Sequence, residues 1–386
     1  MTAIVRLQVF FIFFLLLFYE INRMYPKDPI IRFPIIFLFL LFLLAVKSAF
    51  TRTSFPQKNA AFFSFIALEC AIMFFLCEHS LFYSLSSSSF YLTTLLPLLL
   101  FLFSYNITVN GNDQFLPKIA IPMTGILSIV FFTNHRTGVD ELLSVDAGSY
   151  VILYYIPFIL CLKKVFFKTF CILLCLIAVL LSFKRGGIIC LFAGLYVYAV
   201  VCVISASDWL IKLKRFCISL IPLFVIILCL FLVNDFSNDL IFTRFSKMES
   251  GGGSGRDVIY AHVLEMISSS SWYELLVGHG WNTVSRDSYL GLSAHNDFLE
   301  CIYDYGVITF IAYLALYINL IRLMLDMLKR NSIYAAPLAA SIVMFLTNSL
   351  VSHILLYDWH FITFAMFWGY IIACDEKEVR FKCRVR

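Results

Sequence analysis

Residues 165–204 read VFFKTFCILLCLIAVLLSFKRGGIICLFAGLYVYAVVCVI. Two apolar runs, near 165–183 and 187–206, meet at Lys184-Arg185-Gly186-Gly187. Each is about the roughly 20 predominantly apolar residues needed to cross a bilayer. Two such runs joined by so short a basic connection read as a helical hairpin turning at a membrane surface. Working outward, the same kind of run recurs along most of the chain.

Hydrophobic residues make up 61% of the 386 residues and charged residues 14%. Soluble domains have about 45–50% and about 25% respectively, so a soluble globular enzyme is excluded. Twelve candidate spans lie near 4–22, 31–46, 60–78, 89–107, 117–133, 148–163, 165–183, 187–206, 216–233, 305–326, 334–354 and 357–374. Runs 148–163 and 165–183 are separated only by Lys163, Lys164 and Lys168. No small-residue cleavage site follows the first run, which reads as a retained span. Ser86 to Ser89 read as a short polar loop. The fold class expected is all-α: a polytopic membrane protein of about twelve transmembrane helices with one large loop. Its divisions are 1–233 (nine spans), 234–304 (the loop), 305–374 (three spans) and 375–386 (a basic tail).

Charge bias sets the orientation. With a cytoplasmic N-terminus and twelve spans, nineteen of the 29 Lys and Arg fall in cytoplasmic ends and loops, and six in short outer loops. The other four, Arg244, Lys247, Arg256 and Arg286, lie in the long loop, which the rule does not weigh. The long loop therefore faces outside and both termini face the cytoplasm. The net charge of +5 is mostly this orientation signal, and gives no reason to expect a nucleic-acid partner. The twelve cysteines sit mainly within spans, with only Cys301 near the loop, so no disulfide framework is expected there.

The loop carries the polar chemistry. After a Gly251-Gly252-Gly253 hinge, Ser254 and Asp257 fit a helix-capping pattern, and Val258, Ile259, Val263, Met266 and Ile267 follow at helical spacing. The helix should end in the serine run 268–271. Val277-Gly278-His279-Gly280-Trp281 reads as a turn or strand-like excursion, 282–292 as loop, and Ser293 as the start of a second helix running into the span near Tyr305. Arg256 in a first helical turn suits phosphate, because helix N-termini attract anions and guanidinium matches phosphate oxygens bidentately. A solvated arginine paired with Asp257 would look the same. Arg185 stands at an outer span end, where positive charge is disfavoured, beside two glycines that permit close approach. A snorkelling interfacial arginine is its plainer reading. His295 is a candidate general base, with Asn296, Asp297 or Glu300 to orient it; a lone loop histidine is otherwise polar surface. His353, Asp358 and His360, near the last outer turn, are further candidates. His279 and His295 form no recognised metal-ligand spacing and no Asp-x-Asp pair lies outside, so no metal site is expected.

These motifs together resemble the O-antigen polymerase and O-antigen ligase superfamily of bacterial envelope enzymes. The resemblance rests on Ser182-Phe183-Lys184-Arg185-Gly186-Gly187, Gly255-Arg256-Asp257, Gly278-His279-Gly280, His295-Asn296-Asp297-Phe298-Leu299-Glu300 and Tyr305-Gly306, over about residues 180–310. It implies a glycosyltransferase in the bacterial inner membrane using undecaprenyl-pyrophosphate-linked oligosaccharide at the periplasmic face, without cofactor. Arg185 and Arg256 would hold the donor pyrophosphate and His295 would be the base. Lys184, Gly186, Asn296, Asp297 and Glu300 would support them. The form of the 294–300 segment favours polymerase members over ligases that use lipid A core. A polysaccharide chain-length regulator is a further expected partner. A lipid-linked oligosaccharide flippase is a remoter alternative; transporters place polar groups at the membrane midplane, whereas here they gather at the outer face.

Overall fold

A computed structural model describes residues 3–24, 85–111, 113–134, 148–206, 208–236, 255–355 and 358–385, with isolated positions at 43, 44, 47, 239, 241–243 and 246. The candidate spans 31–46 and 60–78 and the Gly251–Gly253 hinge fall outside these residues almost entirely. The described residues form helices and no strands. In order these are α1 (Ala3–Met24), α2 (Leu85–Asn110), α3 (Phe115–Asn134), α4 (Ser149–Leu153), α5 (Ile156–Leu160), α6 (Val165–Leu181), α7 (Arg185–Ile204), α8 (Trp209–Phe236), α9 (Arg256–Ser269), α10 (Trp272–Val277), α11 (Thr283–Asp287), α12 (Asp297–Lys329), α13 (Ala335–Val351) and α14 (Asp358–Val385).

Three of them, α3, α7 and α12, are long and apolar enough to cross a membrane, and several shorter apolar helices lie beside them. Apolar side chains point both ways, as a lipid-embedded bundle requires. Leu176, Val179, Leu338 and Phe364 are fully buried, whereas Phe166, Ile311 and Ile318 are exposed. With lipid as apolar as leucine, helices associate through close packing. The most extensive pairings are α2 with α14 and α7 with α13. Gly194 of α7 lies against Met344 of α13, and Gly369 of α14 against the Phe101 backbone of α2.

Local boundaries refine the sequence reading. Ser86 to Ser89 open helix α2 and are not a loop. Run 148–163 is two short helices with a break at Tyr154-Tyr155, separated from α6 around Lys163 and Lys164. Helix α14 continues through the basic tail to Val385. Helix α12 is continuous except at Gly306 (φ 77°, ψ 170°), so Asp297–Tyr305 is a short helix set at an angle on the span that follows.

The polar groups gather at two ends. At one, Arg330 pairs with Asp375 at 2.9 Å, Lys163 with Asp113 at 3.3 Å, and Lys377 Nζ donates to the carbonyls of Thr108 and Gly111. The other end brings together the α6–α7 turn, the loop helices α9 to α11, the start of α12 and the α13–α14 connection. It holds every residue singled out for chemistry.

Candidate functional site

The α6–α7 turn is three residues long. Ser182 Oγ donates to the Val179 carbonyl at 2.7 Å and accepts from Lys184 N–H at 3.3 Å. Phe183 is buried and takes φ 50°, a left-handed conformation unusual for so bulky a residue. The chain thus reverses at once, and α7 opens on Arg185 with no side-chain cap from Lys184. The positive end of the helix dipole thus carries two basic residues. A Cβ on Gly186 would sit 2.6 Å from Tyr150 Oη and 3.1 Å from Val351 Cγ2, so a side chain here would push on the Tyr150 hydroxyl and the end of α13.

The loop helix α9 starts in the same manner. Its N-cap is Gly255 at φ 78°, again without a side-chain cap, and Arg256 is the first helical residue. Ser254, the expected cap, lies outside the described residues. Ile259, Val263 and Met266 form the inner face and pack with Val284, Ala294 and Tyr303 in a small satellite core. Val258, expected on that face, is exposed. Tyr260 Oη lies within hydrogen-bond reach of the carbonyls of Leu350 (3.2 Å) and His295 (3.4 Å), tying α9 to both histidine-bearing segments.

His295 occupies the turn before α12 with φ 53°. Its ring lies on that of His353, centroids 4.3 Å apart and planes inclined by 35°. Burial, then His353, Arg256 and Lys184, push the His295 imidazole down from its ordinary 6.5 to about 4. His353 is likewise lowered to about 4, chiefly by burial, with Arg256 and Lys184 adding to it and Asp297 opposing. Both rings are therefore neutral at physiological pH. Lys184 and Arg256, from separate elements, act electrostatically on the same two rings, and Arg256 also acts on Tyr150, the side chain against Gly186. These links bring Lys184, Gly186, Arg256 and His295 into one neighbourhood, with Arg185 beside Lys184 as the first residue of α7.

The supporting acids act differently from expectation. Asn296 is the N-cap of α12, its Oδ1 accepting from the N–H groups of Phe298 and Leu299. Asp297 accepts from Ile354 and Leu355 N–H at 3.0 and 3.3 Å. Glu300 accepts from Ala294 N–H at 2.7 Å and from the His295 N–H, and meets His353 Nδ1 at 3.0 Å. None of the three side chains is hydrogen-bonded to the His295 ring among the described residues. They hold the backbone that carries it and the neighbouring His353. The second helix begins at Asp297 rather than Ser293 for the same reason: Asn296 is the residue able to cap it.

Gly278-His279-Gly280 and Tyr305-Gly306 are explained by packing. A Cβ on Gly278 (φ 85°) would overlap the Asp304 carbonyl, and one on Gly306 would overlap the Leu276 carbonyl. His279 and Gly280 N–H donate to the carbonyls of Tyr303 and Asp304 at 3.0 and 2.8 Å, and the His279 ring stacks on Tyr303. Buried Asp304 accepts from Asn282 and Val284 N–H and from Thr283 Oγ, so it caps the start of α11. Helix α10, absent from the sequence reading, has a full capping box between Ser271 and Glu274.

Asp297, Glu300 and His353 are buried, with potential ligand atoms within 4.8 Å of one another, and form a group that could hold a metal ion among the described residues. Their donor atoms are already engaged by Ile354, Leu355, Ala294 and each other, so a cation would have to displace those bonds. The residue that sequence reasoning underrated is His353. Its signal was a histidine at the end of the apolar run 334–354, but nothing local tied it to a loop about 60 residues earlier. His360 stands one layer behind, its Nδ1 on the His353 carbonyl at 2.9 Å. The Asp358 side chain lies outside the described residues.

No curated protein matches the chain. Residues 170–314, from within α6 to within α12, match the family model described as O-antigen ligase. The matched stretch contains Arg185, Arg256 and His295 and ends before His353. That match supports a likeness to the O-antigen ligase and polymerase superfamily of membrane proteins and, in general, to its glycan transfer.

Proposed function

We propose that the chain is a polysaccharide polymerase, joining undecaprenyl-pyrophosphate-linked oligosaccharide repeat units at the outer face of the bacterial inner membrane. One observation carries this reading. Two helices, α7 and α9, begin at arginines without side-chain caps, and basic residues of both starts act on one neutral histidine. Cations at helix N-termini oppose the helix dipole, an arrangement that suits a polyanionic ligand.

In this mechanism Arg185 and Arg256 hold the donor pyrophosphate, with Lys184 beside them. The acceptor hydroxyl attacks the anomeric carbon and gives its proton to the unprotonated His295 ring. The bond to the pyrophosphate oxygen breaks, its electron pair leaving with the phosphate, where the two guanidinium groups stabilise the charge. Attack opposite the leaving group inverts the anomeric centre. The lipid pyrophosphate is already activated, so the scheme uses no cofactor. The polymerase reading is favoured by the form of Ala294-His295-Asn296-Asp297-Phe298-Leu299-Glu300; a ligase would use the same donor site with lipid A core as acceptor.

The test is the purified chain with lipid-pyrophosphate-linked repeat units. It should elongate them without an ion gradient, and His295→Ala should lose about 10²–10⁴-fold in rate, the usual worth of a general base. Arg185→Ala and Arg256→Ala should also abolish long products while remaining in the membrane. Full elongation by all three variants would refute the proposal. In cells, loss of a polymerase leaves lipid A core capped with a single unit, whereas loss of a ligase leaves it bare.

A further inference from the structure

We infer that His353, outside the matched segment, is a positioning residue that sets the direction of the His295 ring. The backbone at His295 is left-handed, a conformation that persists in a non-glycine residue only when its surroundings over-determine it. The backbone fixing comes from Glu300 on the Ala294 and His295 N–H groups, Asn296 capping α12, and Tyr260 at the His295 carbonyl. None of these holds the imidazole itself. The ring rests on His353 at 4.3 Å.

His353 is itself rigid. It is 1% exposed, with Nδ1 3.0 Å from Glu300 Oε2 and Nε2 2.9 Å from Ser293 Oγ. Glu300 and Ser293 thus engage both ring nitrogens. Buried as it is, His353 has no route to a substrate hydroxyl. Its backbone is pinned as well, since Asp297 accepts from the next two N–H groups and His360 contacts its carbonyl. The same short stretch, 293–300, thus supplies both the candidate base and the groups that lock the platform beneath it.

This inference rests on the proposed transfer only for its kinetic readout. The experiment compares wild type with His353→Ala and His353→Phe in full-length protein, using lipid-pyrophosphate-linked repeat units from the producing cell and ring-¹³C-labelled histidine. Misplacement of a reacting group by about an ångström costs on the order of 10²-fold, so His353→Ala should lower kcat by about that factor. The donor KM should hold within about twofold, because the arginines are untouched. His353→Phe, which keeps a flat ring, should recover much of the loss. The His295 ring resonances should shift and broaden in His353→Ala and stay sharp in His353→Phe. Unchanged kcat in His353→Ala, no recovery in His353→Phe, or His295 resonances identical in wild type and His353→Ala would each overturn the inference. Should His353→Ala fail to fold, Ser293→Ala removes a single bond to the platform; it should cost several-fold in kcat, and no change would overturn the inference. The expected resonance pattern in a wild type that transfers nothing would sink the transferase reading and leave the positioning role standing.

Discussion

The two polar ends of the bundle use charge in opposite ways. At the end built from Arg330, Asp375, Lys163 and Asp113, acids meet bases directly and tie helices together. At the end built from Lys184, Arg256, His295 and His353, the acids are committed to backbone N–H groups and to His353. The positive field of Lys184 and Arg256 falls on the two histidines. At one end the cations meet carboxylates; at the other they bear on neutral rings. Sorting residues by which end they occupy therefore separates those that hold the fold from those proposed to do chemistry.

The largest expected effect lies where the two roles meet. Glu300→Ala deprives two backbone N–H groups of their acceptor and His353 of its partner, and each buried polar group left unsatisfied costs about 1–3 kcal/mol. A marked fall in thermal stability together with loss of transfer is expected. A stable, active Glu300→Ala would break the distinction. Gly306→Ala comes next. It adds a Cβ against the Leu276 carbonyl at a left-handed residue, a strain of about 1–3 kcal/mol before the clash is counted. Limited proteolysis should show the α10 segment released from α12. Arg330→Ala should be milder and purely structural. It leaves Asp375, 2% exposed, without this partner, at about 1–3 kcal/mol of stability, and kcat should not change.

How far the sequence could be read divides along the same lines. Three spans, α3, α7 and α12, were legible because lipid imposes one local rule, a long apolar run, and they obey it. The places of Arg185 and Arg256 at helix starts were legible because a run of apolar residues follows each within its own segment. The roles of Asp297 and Glu300 were not, since a carboxylate near a histidine in sequence gives no sign of which atom it will face. Glu300 reaches back six residues to Ala294 N–H and forward 53 to His353. The packing role of Gly278 and Gly306 was not legible, because the contact that requires them joins segments 28 residues apart. His353 was hidden for the same reason, as its partners Ser293, His295 and Glu300 lie across an entire helical hairpin.

The smallest expected effect is also the most specific test of the comparison. If His295 is the base, it must be unprotonated to accept the acceptor's proton. Its imidazole is lowered from 6.5 to about 4 by burial, His353, Arg256 and Lys184, in that order. The acid limb of kcat/KM, which reports the free enzyme, should therefore lie near pH 4 rather than 6.5. Lys184→Gln removes one positive charge that disfavours the imidazolium, so the His295 value rises and the limb moves upward. Activity in the window between about 4 and 6.5 falls relative to that at pH 8. Arg330→Gln removes a positive charge at the opposite end, where salt and distance screen it, and should leave the limb in place. A limb that Lys184→Gln fails to move, or that Arg330→Gln moves equally, would mean that net charge rather than this one site governs the titration, and the contrast between the two ends would lose its chemical meaning.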